Sequence, residues 1–74
     1  MKKIIKTESG STYVIDMATL RWERSSDHEV LGLPGVNGEV LVRMPDVTIG
    51  ARMMLLSPSG TWVSTSPVKE FWLE

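Results

Sequence analysis

Short runs of alternating apolar and polar residues, separated by glycine and proline, set the pattern of this chain. Side chains on a strand point to opposite faces in turn, so such alternation predicts half-buried strands. Residues 3–7 are the first run, and Glu8-Ser9-Gly10 is a short loop whose glycine can take positive φ. Residues 11–16 predict a second strand, with Tyr13 and Ile15 on one face and Thr12, Val14 and Asp16 on the other. Met17-Ala18 turns the chain into a third strand at residues 19–24, where Leu20 and Trp22 share a face and Arg21 and Glu23 point away. These three strands read as a meander.

Residues 25–38 break the rhythm. Ser25 to Glu29 is polar, and the stretch from Gly32 to Gly38 holds three glycines and a proline. The segment reads as a long excursion, with a short extended piece at residues 29–31. Long loops in compact domains are often functional. A fourth strand is expected at residues 39–44, with Val40, Val42 and Met44 inward and Glu39, Leu41 and Arg43 outward. The fifth, residues 51–57, is nearly all apolar and is expected to be central. Pro58-Ser59-Gly60 makes a hairpin to a sixth at residues 61–65. Pro67 is expected to end that strand, because proline cannot donate to a ladder. Residues 68–73 form the last strand, closing against the first. The fold class that follows is all-β, a small antiparallel barrel or sandwich of about five to seven short strands, an SH3-like barrel among its forms. No window sustains the spacing of an amphipathic helix, and residues 1–74 read as one small domain.

At 74 residues without a cysteine, the chain has no disulfide to offset a small core. His28 is the single histidine, which excludes a multi-histidine metal site within one chain. No cofactor is expected. Oligomerisation or a partner is the staple left open, and a tightly packed barrel core is the alternative that suffices alone. The net charge of −1 argues against broad phosphate-driven binding. The longest apolar run, Met53 to Leu56, is four residues, far below the roughly 20 that span a bilayer. A cytoplasmic protein without a membrane partner is expected.

The polar residues assemble no catalytic pattern, and the chain is not expected to be an enzyme. Asp27-His28-Glu29 reads as a solvated loop, since neighbours on a strand would face opposite ways. The glycine-rich stretch of residues 32–38 lacks the lysine, the hydroxyl and the following helix of a phosphate-binding loop. Leu33 and Val36 within it suit contact with a partner. Arg21-Trp22-Glu23-Arg24 mixes an indole with cations, as single-strand-binding barrels do. The alignment of Trp22 with Leu20 instead places that ring in the core. Phe71-Trp72-Leu73 is apolar on both faces of its strand, so either both are covered or a patch is exposed, and such patches mark interaction surfaces. Met53 to Leu56 is a second such stretch, which a central strand would explain equally well. The partner-binding candidates are Arg21, Arg24, His28, Leu33, Val36, Arg43, Phe71 and Trp72.

Residues 7–16, Thr-Glu-Ser-Gly-Ser-Thr-Tyr-Val-Ile-Asp, followed by Arg21-Trp22-Glu23-Arg24, resemble the opening hairpin of short orphan proteins from bacteriophages and actinobacterial mobile elements. Residues 62–68, Trp-Val-Ser-Thr-Ser-Pro-Val, resemble their last hairpin, in which a Thr-Ser-x-Val segment enters the closing strand. The resemblance covers about half of the chain and carries no catalytic residues. It implies an accessory factor, of a kind that binds and blocks a host or defence protein or sequesters a small signalling molecule. The leading expectation is therefore a non-catalytic module that acts by stoichiometric binding to a host protein, with a protein partner, a second copy of itself in a homo-oligomer, or both on its apolar closing strand. The alternatives are an oligomer that binds a small ligand or nucleotide in pockets formed between copies by Arg21, Arg24 or Arg43, and a nucleic-acid-binding barrel.

Overall fold

A computed structural model of the chain describes residues 1–26, 36–37 and 40–74, and among the described residues there is no helix. The strands are β1 (Lys2–Thr7), β2 (Ser11–Asp16), β3 (Trp22–Ser26), β4 (Val36–Asn37), β5 (Arg52–Leu56) and β6 (Trp62–Leu73). They form one sheet in the order β4-β3-β2-β1-β6-β5, every named pair antiparallel. The fold is all-β and barrel-like, as the alternation implied. The expected meander of the first three strands is present, with Ile5 opposite Tyr13 and Ile15 opposite Trp22. Those residues point to one face and join Leu41, Met53, Leu55 and Val68 in the buried core.

The sheet curls because β6 serves both halves. Its first part pairs with β5 and its second with β1. A bulge in each pairing bends it between the two, as extra residues in one strand do. Closure at one end falls to residues 41–42. The Leu41 N–H donates to the Leu20 carbonyl at 2.8 Å, and the Val42 N–H donates to the Leu56 carbonyl at 2.9 Å. A two-residue stretch thus links the chain just before β3 with the end of β5. Leu41, only 2 % exposed, fills the space beneath.

Several expectations need correction. Residues 40–44 are not a strand, and their inward residue is Leu41; Val40 and Val42 are exposed, while Met44 packs partly on the core. Alternation failed there because a bridge of single bonds replaces a ladder. β5 is an edge strand rather than a central one, and Met54 faces out. Pro67 does not break the last strand: β6 runs through it for 12 residues. The bulge makes this tolerable. Met53 finds its acceptor in the Thr65 hydroxyl at 3.0 Å, and the Pro67 carbonyl accepts the Glu8 N–H at 2.9 Å, so a missing proline donor costs the ladder little. β3 starts three residues late because the turn before it runs on to Leu20. Two parts of the expected excursion are strand instead, the end of β3 and β4, which pairs Val36 with Arg24. The extended piece at residues 29–31 lies outside the described residues.

Candidate functional site

Two places combine exposed apolar side chains with unused backbone groups. The first is the C-terminal half of β6. Lys2 and Glu74 exchange both backbone hydrogen bonds, at 3.0 and 2.8 Å. Direction alternates along a strand, so Trp72, like Glu74, turns its N–H and C=O towards β1, while Phe71 and Leu73 turn theirs away. β5 covers that far edge only as far as Pro67, and Gly50 and Ala51 bond Val68. Beyond Val68 no strand among the described residues pairs with it.

The side chains there follow the register. Phe71 stands opposite Ile5, on the core face, and Trp72 opposite Ile4, on the outer face. Ile4 is buried yet stands apart from the core cluster, flanked on that outer face by Val14 and Trp72. Phe71 and Trp72 remain 38 % and 39 % exposed, and Leu73 is more open still. Lys3 sets its ammonium 5.1 Å from the Phe71 ring centre, and Lys6 lies 5.8 Å from that of Trp72. Each face of the strand end therefore presents an aromatic ring with a cation beside it.

The second place is a cleft of about 370 Å³ on the outer side of the β5–β6 hairpin. Met54, Leu56 and Trp62 line one wall, with Arg52 at its end; Arg43, Pro45 and Asp46 line the other. Leu56 pairs with Trp62 across the hairpin. With Met53 and Leu55 inward, Met54, Leu56 and Trp62 must share the outer face. Met54 is 46 % exposed and Trp62 55 %. Met54 belongs to the apolar stretch that the sequence marks as either surface or central strand, whereas Trp62 and Arg52 carry no such mark. The signal was available: the three-residue link Pro58-Ser59-Gly60 fixes which residues of the two strands are opposite, and with it the outward set.

The remaining candidates do not converge. Arg21 is exposed and lines a shallow cleft of about 250 Å³ with Lys2, Val14, Asp16, Thr19 and Glu23. Within it, Asp16 accepts the Ala18 and Thr19 N–H groups at 2.8 and 3.2 Å, which hold its carboxyl below the ordinary 3.8. Arg24 stands opposite Tyr13 on the core face, its Nε buried with no partner among the described residues. Arg21 and Arg24 therefore do not form one cationic patch. Trp22 is buried against Tyr13, ring centres 5.9 Å apart, and offers no stacking platform. Arg43 belongs to the larger cleft. Val36 lies in β4; His28 and Leu33 lie outside the described residues. Among the described residues no group of His, Asp and Glu gathers as a metal site. In comparisons with known proteins, no family model, curated protein or solved structure matches the chain.

Proposed function

We propose that this chain is a non-catalytic interaction module that acts by stoichiometric binding, and that it pairs with a second copy of itself through the far edge of β6. One observation carries the reading: Phe71 and Leu73 direct backbone donors and acceptors to an edge where no described strand meets them, between half-exposed aromatic rings. Such an edge is a template for another strand. A two-fold antiparallel pairing sets Phe71 against Leu73 of the second copy and Trp72 against its own counterpart. That register uses every outward group of both residues and puts apolar side chains together on both faces. A host protein as the eventual target is in keeping with the resemblance to short phage proteins.

Light scattering across a concentration series tests this, on the wild type and on Trp72→Ser, with circular dichroism of both. The wild type is expected to go from monomer to dimer as concentration rises. The variant should stay monomeric with an unchanged spectrum. A wild type that is monomeric throughout contradicts the proposal.

A further inference from the structure

The larger cleft is built along a second unfinished edge. The Ser57 N–H donates to the Thr61 carbonyl, and the Met53 N–H to the Thr65 hydroxyl, so alternate residues of β5 face β6. Leu56 and Met54 between them face outward. Val42 takes the Leu56 carbonyl, but the pairing stops there. Pro45, which also lines the cleft, has no N–H to offer. No backbone bond among the described residues reaches the outward N–H and C=O of Met54. Met54 itself lines the cleft, together with Arg43, Pro45 and Trp62.

Charge narrows the occupant. Two guanidiniums and one carboxylate ring the cleft. The Arg52 Nη1 donates to the Thr65 carbonyl at 3.3 Å, which anchors that cation at the rim with donors to spare. Arg43 is exposed and has no ion-pair partner among the described residues. The lining of Met54, Leu56 and Trp62 is apolar and adaptable, as methionine surfaces are. Apolar lining, cationic rim and unused strand edge are complementary to one kind of ligand.

We infer that this cleft takes an extended segment of another protein, in which an apolar side chain has Asp or Glu two positions to either side, added as a strand to β5 at Met54. The apolar side chain fills the space against Trp62, and the acidic side chains two positions away, on the same face of the strand, meet Arg43 and Arg52. Backbone pairing supplies affinity and the cleft supplies selectivity, as in other strand-addition modules. The inference rests on the reading of the chain as a binding module but uses a surface separate from the end of β6, so the two can fail independently.

A displayed library of short random peptides, panned on the immobilised protein, tests it. The wild type should enrich sequences with Asp or Glu two positions from an apolar residue, and Trp62→Ala should lose that enrichment. A selected peptide, made synthetically, should bind the Arg43→Glu, Arg52→Glu double variant at least about tenfold more weakly, as loss of complementary charge implies. N-methylation of its alternate amides should weaken binding at one parity only, the mark of strand pairing. Three results would each overturn the inference: no enrichment, enrichment of basic sequences, or equal enrichment on Trp62→Ala. Binding of a short single-stranded DNA that depends on Trp62 and Arg43, with no peptide enriched, would also overturn it. Both arginines and Trp62 are exposed, so these variants should keep the fold; matching circular dichroism spectra check this.

Discussion

Thr65 shows how one hydroxyl permits an irregular strand. It is buried, accepts the Met53 N–H at 3.0 Å and donates to the Ser66 carbonyl at 2.8 Å. Thr65→Val keeps the shape but strands a buried donor, so it should cost about 1–3 kcal/mol in denaturant unfolding, although valine is the more apolar residue. Thr65→Ser keeps the hydroxyl and should cost less than about 1.5 kcal/mol, the toll of a lost methyl. Asp16 does comparable work at the surface. Its carboxyl is held below 3.8 first by the Ala18 N–H, then by that of Thr19. A depressed folded value means the charged form is the one the fold favours. Its contribution is present at neutral pH and is lost as pH falls below 3.8 and through the folded value. The stability gap between wild type and Asp16→Ala should therefore shrink in acid, which thermal melts from pH 7 downwards would check. Tyr13, Ile15 and Trp22 were legible from sequence, because regular alternation assigned each its face. The role of Thr65 was not, since it depends on a bulge that no local pattern announces.

Elements were legible where a ladder formed and obscure where single bonds did the work. The first two hairpin strands and the link at Pro58-Ser59-Gly60 follow directly from alternation and turn chemistry. Gly10 and Gly60 take the positive φ of 90° and 87° that their turns demand. Leu20 has a φ of 61° as well, a conformation that usually calls for glycine, and it lengthens the turn that delays β3. Its side chain packs on the core, which is a reason to hold leucine there and one that no turn pattern reveals. Residues 40–42 looked like a strand because Val-Leu-Val suits one, yet their inward residue is the middle one. Leu41→Ala should therefore cost about 2–5 kcal/mol, the range for truncating a fully buried leucine. Val42→Thr should change stability by no more than about 0.5 kcal/mol. The alternation read from sequence predicts the reverse order, so equilibrium unfolding of the two variants decides between them. β5 was misplaced at the centre because Met53 to Leu56 is wholly apolar. The structure uses that excess to make a surface, with Met54 against Trp62.

At the scale of the whole molecule, the sheet closes at one end and stays open at another. Residues 41–42 join its two sides, while the edge of β6 beyond Val68 has no described neighbour. The two-fold register proposed for that edge also sets Glu70 against Glu74 of the second copy. Like charges placed directly opposite destabilise a strand pair, so Glu70→Gln should tighten self-association by a few fold in analytical ultracentrifugation, an effect that added salt should reduce by screening. Which edge remained open could not be read from the sequence, because it depends on where β5 stops pairing along a strand expected to end at Pro67. Backbone amide exchange at Phe71 and Leu73, compared between dilute and concentrated solutions, tests pairing through this edge most directly. Both amides should exchange freely when dilute and gain protection together when concentrated, while Trp72, bonded towards β1, is protected throughout; Trp72→Ser should abolish the gain. Free exchange of Phe71 and Leu73 at every concentration would contradict the account.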